Sequence, residues 1–147
     1  MAYKTLVENP SPLERQIAAY VRQMSESGRE FSLAMLVPSE TGLADRWNLA
    51  VSAPWIDREG LRAAIPSITA GLLKHLSRAS AGKLERVSVL ATTDPLVQRI
   101  ADMVSSPDVY RIESFPAVGT AGEAIVLVAQ RPTNRRGPRA QPAQSRA

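Results

Sequence analysis

The pattern of apolar residues predicts an α/β fold: a mixed five-stranded sheet with helices packed on it, its elements ordered αββαβαββ over residues 1–130. Three observations carry this. Short apolar or alternating runs recur along the chain, stretches with helical periodicity fall between them, and Pro, Gly or Asp stands at nearly every junction. At 147 residues, the chain has the size of a single domain able to bury its own core.

The first helix is announced by Ser11-Pro12-Leu13-Glu14, a capping box with proline at a position that needs no N–H. Leu13, Ile17, Tyr20, Val21 and Met24 continue it, and Gly28 ends it, giving a helix over about 12–27. Residues 30–37 (EFSLAMLV) are apolar at nearly every position, as in a strand buried on both faces, and Pro38 closes the run. In residues 47–52, Trp47, Leu49 and Val51 alternate with Asn48, Ala50 and Ser52, which predicts a second strand hairpinned to the first.

Pro54 stops that strand, and Asp57 is placed to cap one long helix carrying Leu61, Ile65, Ile68, Leu72 and Leu76, kinked at Pro66 and ending between Ser77 and Gly82. Residues 86–92 (RVSVLAT) form the third strand. Asp94-Pro95 then caps and opens a short helix with Leu96, Ile100, Met103 and Val104. Residues 109–115 and 123–130 are the last strands, joined by a glycine-containing loop that suits a hairpin. Two strand–helix–strand units, over 46–92 and 86–115, are each expected to join parallel strands.

Charge is unevenly distributed. Residues 131–147 hold five of the 18 cationic residues and no acid, so the remaining 13 meet all 14 Asp and Glu in a nearly neutral domain. The composition of RPTNRRGPRAQPAQSRA, rich in Pro, Gln and Arg and poor in apolar residues, predicts a disordered basic tail. With no cysteine, disulfides and thiolate chemistry are excluded, which suits a reducing cytoplasm. No apolar stretch is long enough for a signal peptide or membrane span, and no membrane partner is expected.

Most enzyme signatures fail on inspection. His75 is the only histidine, so multi-histidine metal sites are excluded and no metal or cofactor is expected. Residues 77–84 (SRASAGKL) lack the first glycine and the final hydroxyl of a phosphate-binding loop, and no Gly-x-Gly-x-x-Gly fingerprint occurs. None of the three lysines follows an acid by two positions, as a metal-dependent nuclease site requires. Gly119-Thr120-Ala121-Gly122 has the outline of a nucleic-acid clamp but falls between strands and carries no adjacent base, so a hairpin loop is the better reading.

Two constellations remain. Ligands of α/β sheets gather beyond the carboxyl ends of parallel strands, where Ser52, Trp55, Asp57, Thr92, Thr93 and Asp94 would share one edge; capping by Asp57 and Asp94 is the plainer role. Trp47, in phase with Leu49 and Val51, is assigned to the core or a subunit contact; Trp55, past Pro54, is the tryptophan expected to be partly exposed. Arg131, Arg135, Arg136 and Arg139 could contact phosphates of a nucleic acid, although arginine is the default cation throughout the chain. Without a catalytic set, the first functional expectation is a non-catalytic interaction protein that forms a homo-oligomer or binds a protein partner, through an edge near Phe31 or Val126 and Val128. A small-ligand or nucleotide module and a nucleic-acid accessory protein are the alternatives.

Overall fold

A computed structural model describes residues 3–39, 45–104, 109–113 and 124–130. The glycine loop at 119–122 and the basic segment at 131–147 lie outside the described residues. The fold is mixed α/β, with one six-stranded sheet in the order β1-β5-β6-β2-β3-β4. Its elements are β1 (Tyr3–Leu6), α1 (Pro12–Glu26), β2 (Leu33–Pro38), β3 (Trp47–Ser52), α2 (Pro54–Glu59), α3 (Leu61–His75), α4 (Arg78–Ala81), β4 (Leu84–Val89), α5 (Pro95–Met103), β5 (Tyr110–Glu113) and β6 (Ala124–Ala129).

The capping box forms as the sequence predicts: the Glu14 amide donates to Ser11 Oγ, and the Ser11 amide donates to Glu14 Oε1. Leu13, Ile17 and Tyr20 turn that helix's apolar face inward. β2 and β3 pair antiparallel as a hairpin, and β3 and β4 pair in parallel across the intervening helices. The expected crossover over 46–92 is therefore present.

The sheet departs from expectation in three places. A sixth strand, β1, pairs antiparallel with β5, from Tyr3 opposite Glu113 to Leu6 opposite Tyr110. Four residues are too few to show a period, and their partner lies a hundred positions away, so no local pattern announces the strand. The second expected parallel unit does not form: β4 is one edge of the sheet, and β5 lies near the other, separated from it by β6, β2 and β3. Following the pairings across the sheet, β6 runs parallel to β4, through antiparallel β6–β2 and β2–β3 and parallel β3–β4, and β5, antiparallel to β6, therefore runs opposite to β4. Finally, β6 is interior, paired with β5 on one side and β2 on the other, so the edge expected at Val126 and Val128 does not exist, and Phe31 is buried as well.

The long second helix is also divided. Gly60 takes φ +103°, ending α2 and beginning α3 in a backbone conformation that side-chain-bearing residues rarely adopt. Pro66 lies within α3, where its missing N–H leaves one internal hydrogen bond unmade.

Two apolar clusters sandwich the sheet. On one face, α1, α2 and α3 cover Ala34, Leu36, Leu49, Val51, Ile125 and Leu127; on the other, α5 brings Val97, Ile100 and Val104 against Leu33, Met35, Ile112 and Val126. The first face is bound tightly. At Gly71, a Cβ atom would come 2.7 Å from the Tyr20 ring, so only glycine lets α1 and α3 approach this closely.

Candidate functional site

The strand ends named from sequence do converge. Leu90, just past β4, donates its amide to the Val51 carbonyl, which carries the following loop alongside the start of α2. There the Asp57 carboxylate accepts from the Thr92 amide and from Thr92 Oγ1, and Gln98 Nε2 donates to the Thr92 carbonyl at 2.8 Å. Asp57 is thus not the expected helix cap. Ala53 occupies the N-cap position of α2 without a side-chain bond, and the carboxylate instead fastens the β4–α5 loop.

The other residues of this group point elsewhere. Asp94 caps α5 by accepting from the Leu96 amide at 2.9 Å, Thr93 is exposed, and Ser52 is fully buried with no hydrogen-bond partner for Oγ. Trp55 is 4% exposed, opposite to expectation. Its ring meets Phe31 edge-on at 5.5 Å, and the Arg29 guanidinium lies 5.0 Å above it. Arg29 is in turn paired with Glu59 at 3.1 Å. The burial follows from Pro54 starting a helix at once, which swings Trp55 under the 29–31 segment. Trp47, with its ring half-buried against the same core, has its indole N–H directed to Asp45.

His75 belongs to the same aromatic group. Its ring stands edge-on to Tyr20 at 5.6 Å, with Nδ1 3.2 Å from the Gly71 carbonyl. Burial pushes the Tyr20 hydroxyl up to about 12, partly countered by the positive charge of Arg29. At the start of β3, hydrogen bonds from Lys83 and then Trp47 hold the Asp45 carboxyl below its ordinary range. Among the described residues, no three acidic or histidine side chains come together as metal ligands, and no helix is long and apolar enough to cross a membrane. Arg131, Arg135, Arg136 and Arg139 lie outside the described residues.

A different surface emerges at β4. Among the described residues, this strand pairs only with β3. Because Leu90 hydrogen-bonds toward β3, the alternation of a strand turns the N–H and C=O groups of Val87 and Val89 toward the open edge. Their side chains are half-buried beneath α3. On α3, Gly71 and His75 face α1 while Ala64, Ile68 and Leu72 face the sheet. Advancing by about 100° per residue, Ile65, Thr69 and then Leu73 follow on the flank away from α1. Leu73 is 57% exposed. Its isolated identity as a leucine carries no signal in the sequence; its meaning comes from which strand ends the sheet.

Comparison with protein-family models, with curated proteins and with solved structures finds no match to this chain.

Proposed function

We propose that the chain is a non-catalytic assembly protein that forms a homodimer by antiparallel pairing of β4 with β4 of a second copy. The observation that carries this reading is the open β4 edge overhung by the flank of α3 that bears Ile65 and Leu73. A six-residue strand whose outer side has no strand partner among the described residues presents main-chain donors and acceptors in a row, and proteins ordinarily shield such an edge. A second copy is the natural complement, since a two-fold axis normal to the sheet sets each outward N–H opposite a C=O of the other strand, Val87 against Val87 and Val89 against Glu85. It also brings two α3 flanks together, covering Leu73.

Register follows from charge. Centred on Val87, the pairing sets Arg86 opposite Ser88 of the second copy and keeps the two Arg86 side chains from meeting directly. Centred on Arg86, it would oppose like charges at the axis, an unfavourable arrangement.

The ligand-binding alternative has less support. Trp55 would have to be accessible to stack on a ligand, and the Asp57 oxygens are already engaged by Thr92. The nucleic-acid alternative rests on the arginines of residues 131–147; its measurement is a salt-sensitive affinity that vanishes when those residues are deleted.

Light scattering after size separation, over a range of concentrations, tests the dimer. The expected mass is twice that of the 15.9 kDa chain. A monomer at every concentration overturns the proposal.

A further inference from the structure

On the face of the sheet covered by α1, a cleft of about 220 Å³ opens between that helix, the 30–31 segment and the end of β6. Ala18, Val21, Phe31, Leu127 and Val128 supply its apolar wall; Arg22, Ser25, Glu30 and Gln130 supply its polar rim. It is smaller than the roughly 300–1,000 Å³ typical of small-molecule sites. A side chain or two would fill it.

We infer that the occupant is this chain's own C-terminal segment, with Arg131 and Pro132 seated in the cleft and the following arginines lying along the C-terminal end of α1. The first argument is where the chain goes. Gln130 lines the cleft and is fixed twice: its amide donates to the Ser32 carbonyl at 2.8 Å, and its side chain donates to the Phe31 carbonyl at 2.9 Å. The chain beyond Gln130 therefore sets out from a residue that lines the cleft. The seventeen residues from there to Ala147 reach roughly 55 Å when extended, ample to follow α1.

The second argument is electrostatic. The last turn of α1 contains no basic residue, so its terminal carbonyls carry the negative end of the helix dipole without a side-chain cation. Glu26 closes that helix, and Glu30, which accepts from Ser25 Oγ, stands on the rim. Residues 131–147 bring five arginines and no acid to this end of α1, where cations are favoured. Arg135 and Arg136 are placed by sequence to follow Pro132 toward Glu26.

The chain has no cysteine, so a single Ala140→Cys substitution in the full-length protein accepts one nitroxide label. Paramagnetic broadening is then read on the backbone amides. The expected result is selective loss of signal at Ala18, Val21 and Ser25, restored by moderate salt or by Arg135→Glu with Arg136→Glu. An even halo around Gln130, unaffected by salt, describes an undocked tether and overturns the inference. Mixing labelled chain of natural isotopic abundance with unlabelled ¹⁵N chain separates a third outcome: broadening that persists in the mixture comes from the segment of another copy, and it too overturns docking within one chain.

Discussion

The sheet has two ends, and they are finished differently. β1 is four residues long, whereas β4 is six and lies beneath a helix whose outer flank carries Ile65 and Leu73. Each end also displays one large exposed leucine, Leu6 at 53% and Leu73 at 57%. Brevity is itself a protection, since a short edge offers few hydrogen bonds to a passing strand. The β4 end lacks that protection and adds apolar surface. The contrast shows that an edge invites a partner through its length and its flank together, and not through an exposed leucine alone. Proline substitution gives the sharpest test. Because the Val87 N–H points outward, Val87→Pro removes no bond to β3 yet blocks pairing at its centre. The dimer dissociation constant should rise by about a hundredfold or more, equivalent to losing about 3 kcal/mol of association. Leu6→Pro, whose N–H likewise faces away from β5, should leave the oligomeric state unchanged. Sedimentation equilibrium compares the two, and an equal response at both ends breaks the contrast.

The next largest effect separates the β4 edge from the loop that follows it. Replacing Asp57 by Ala removes the acceptor of both the Thr92 amide and its hydroxyl and leaves two largely buried donors unmatched. Unfolding in urea should show a loss of about 2 kcal/mol. Association of the folded variant should be unchanged, because neither side chain lies on the β4 edge. A dimer that fails together with Asp57 would mean that the loop, and not the strand, forms the contact.

The legibility of these regions differs for physical reasons. α1 was plain because its signals are local: the capping box, a 3–4 residue period and Gly28 all lie within one short stretch. The β2–β3 hairpin and the parallel β3–β4 pair were plain for similar reasons, since alternation and proline stops mark them. β1 was hidden because its only partner is distant, and the place of β5 was hidden because strand order depends on non-local pairing. Gly60 is inconspicuous in sequence because it precedes an otherwise continuous apolar stripe, and only its positive φ shows that it breaks the helix. The strand-end cluster was legible as a neighbourhood but not as a set of roles. Asp57 has the chemistry of a cap, and only the path of the β4–α5 loop turns it toward Thr92. The burial of Trp55 is not legible in sequence, because it depends on the covering 29–31 segment, which no local pattern connects to it.

A third test acts on the helix above β4. Tyr20 joins α1 to α3, and burial raises its hydroxyl from about 10 to about 12. The folded state therefore holds this proton more tightly than the unfolded chain. The associated stability is fully present below pH 10 and is lost as the pH climbs through 12, by roughly 3 kcal/mol at most. Tyr20→Phe should flatten that part of the profile, read as the difference between the two proteins in denaturant at each pH. An identical slope in both would place the alkaline loss on other groups.

The smallest effect asks what the helix flank adds once the strands are paired. Leu73→Glu leaves the β4 backbone intact and puts a carboxylate on the surface where two α3 flanks would meet. Folding stability should change by less than about 0.5 kcal/mol, since the side chain is mostly exposed. The dimer dissociation constant should rise only about tenfold, near 1.4 kcal/mol, from lost apolar burial and like-charge opposition across the axis. Leu6→Glu, with almost the same exposure at the other end, should change neither quantity. The ranking matters more than either value: Val87→Pro must weaken the dimer more than Leu73→Glu if strand pairing holds it. The reverse order in the same sedimentation series would leave α3 as the interface and reduce β4 to an edge that merely lies beside it.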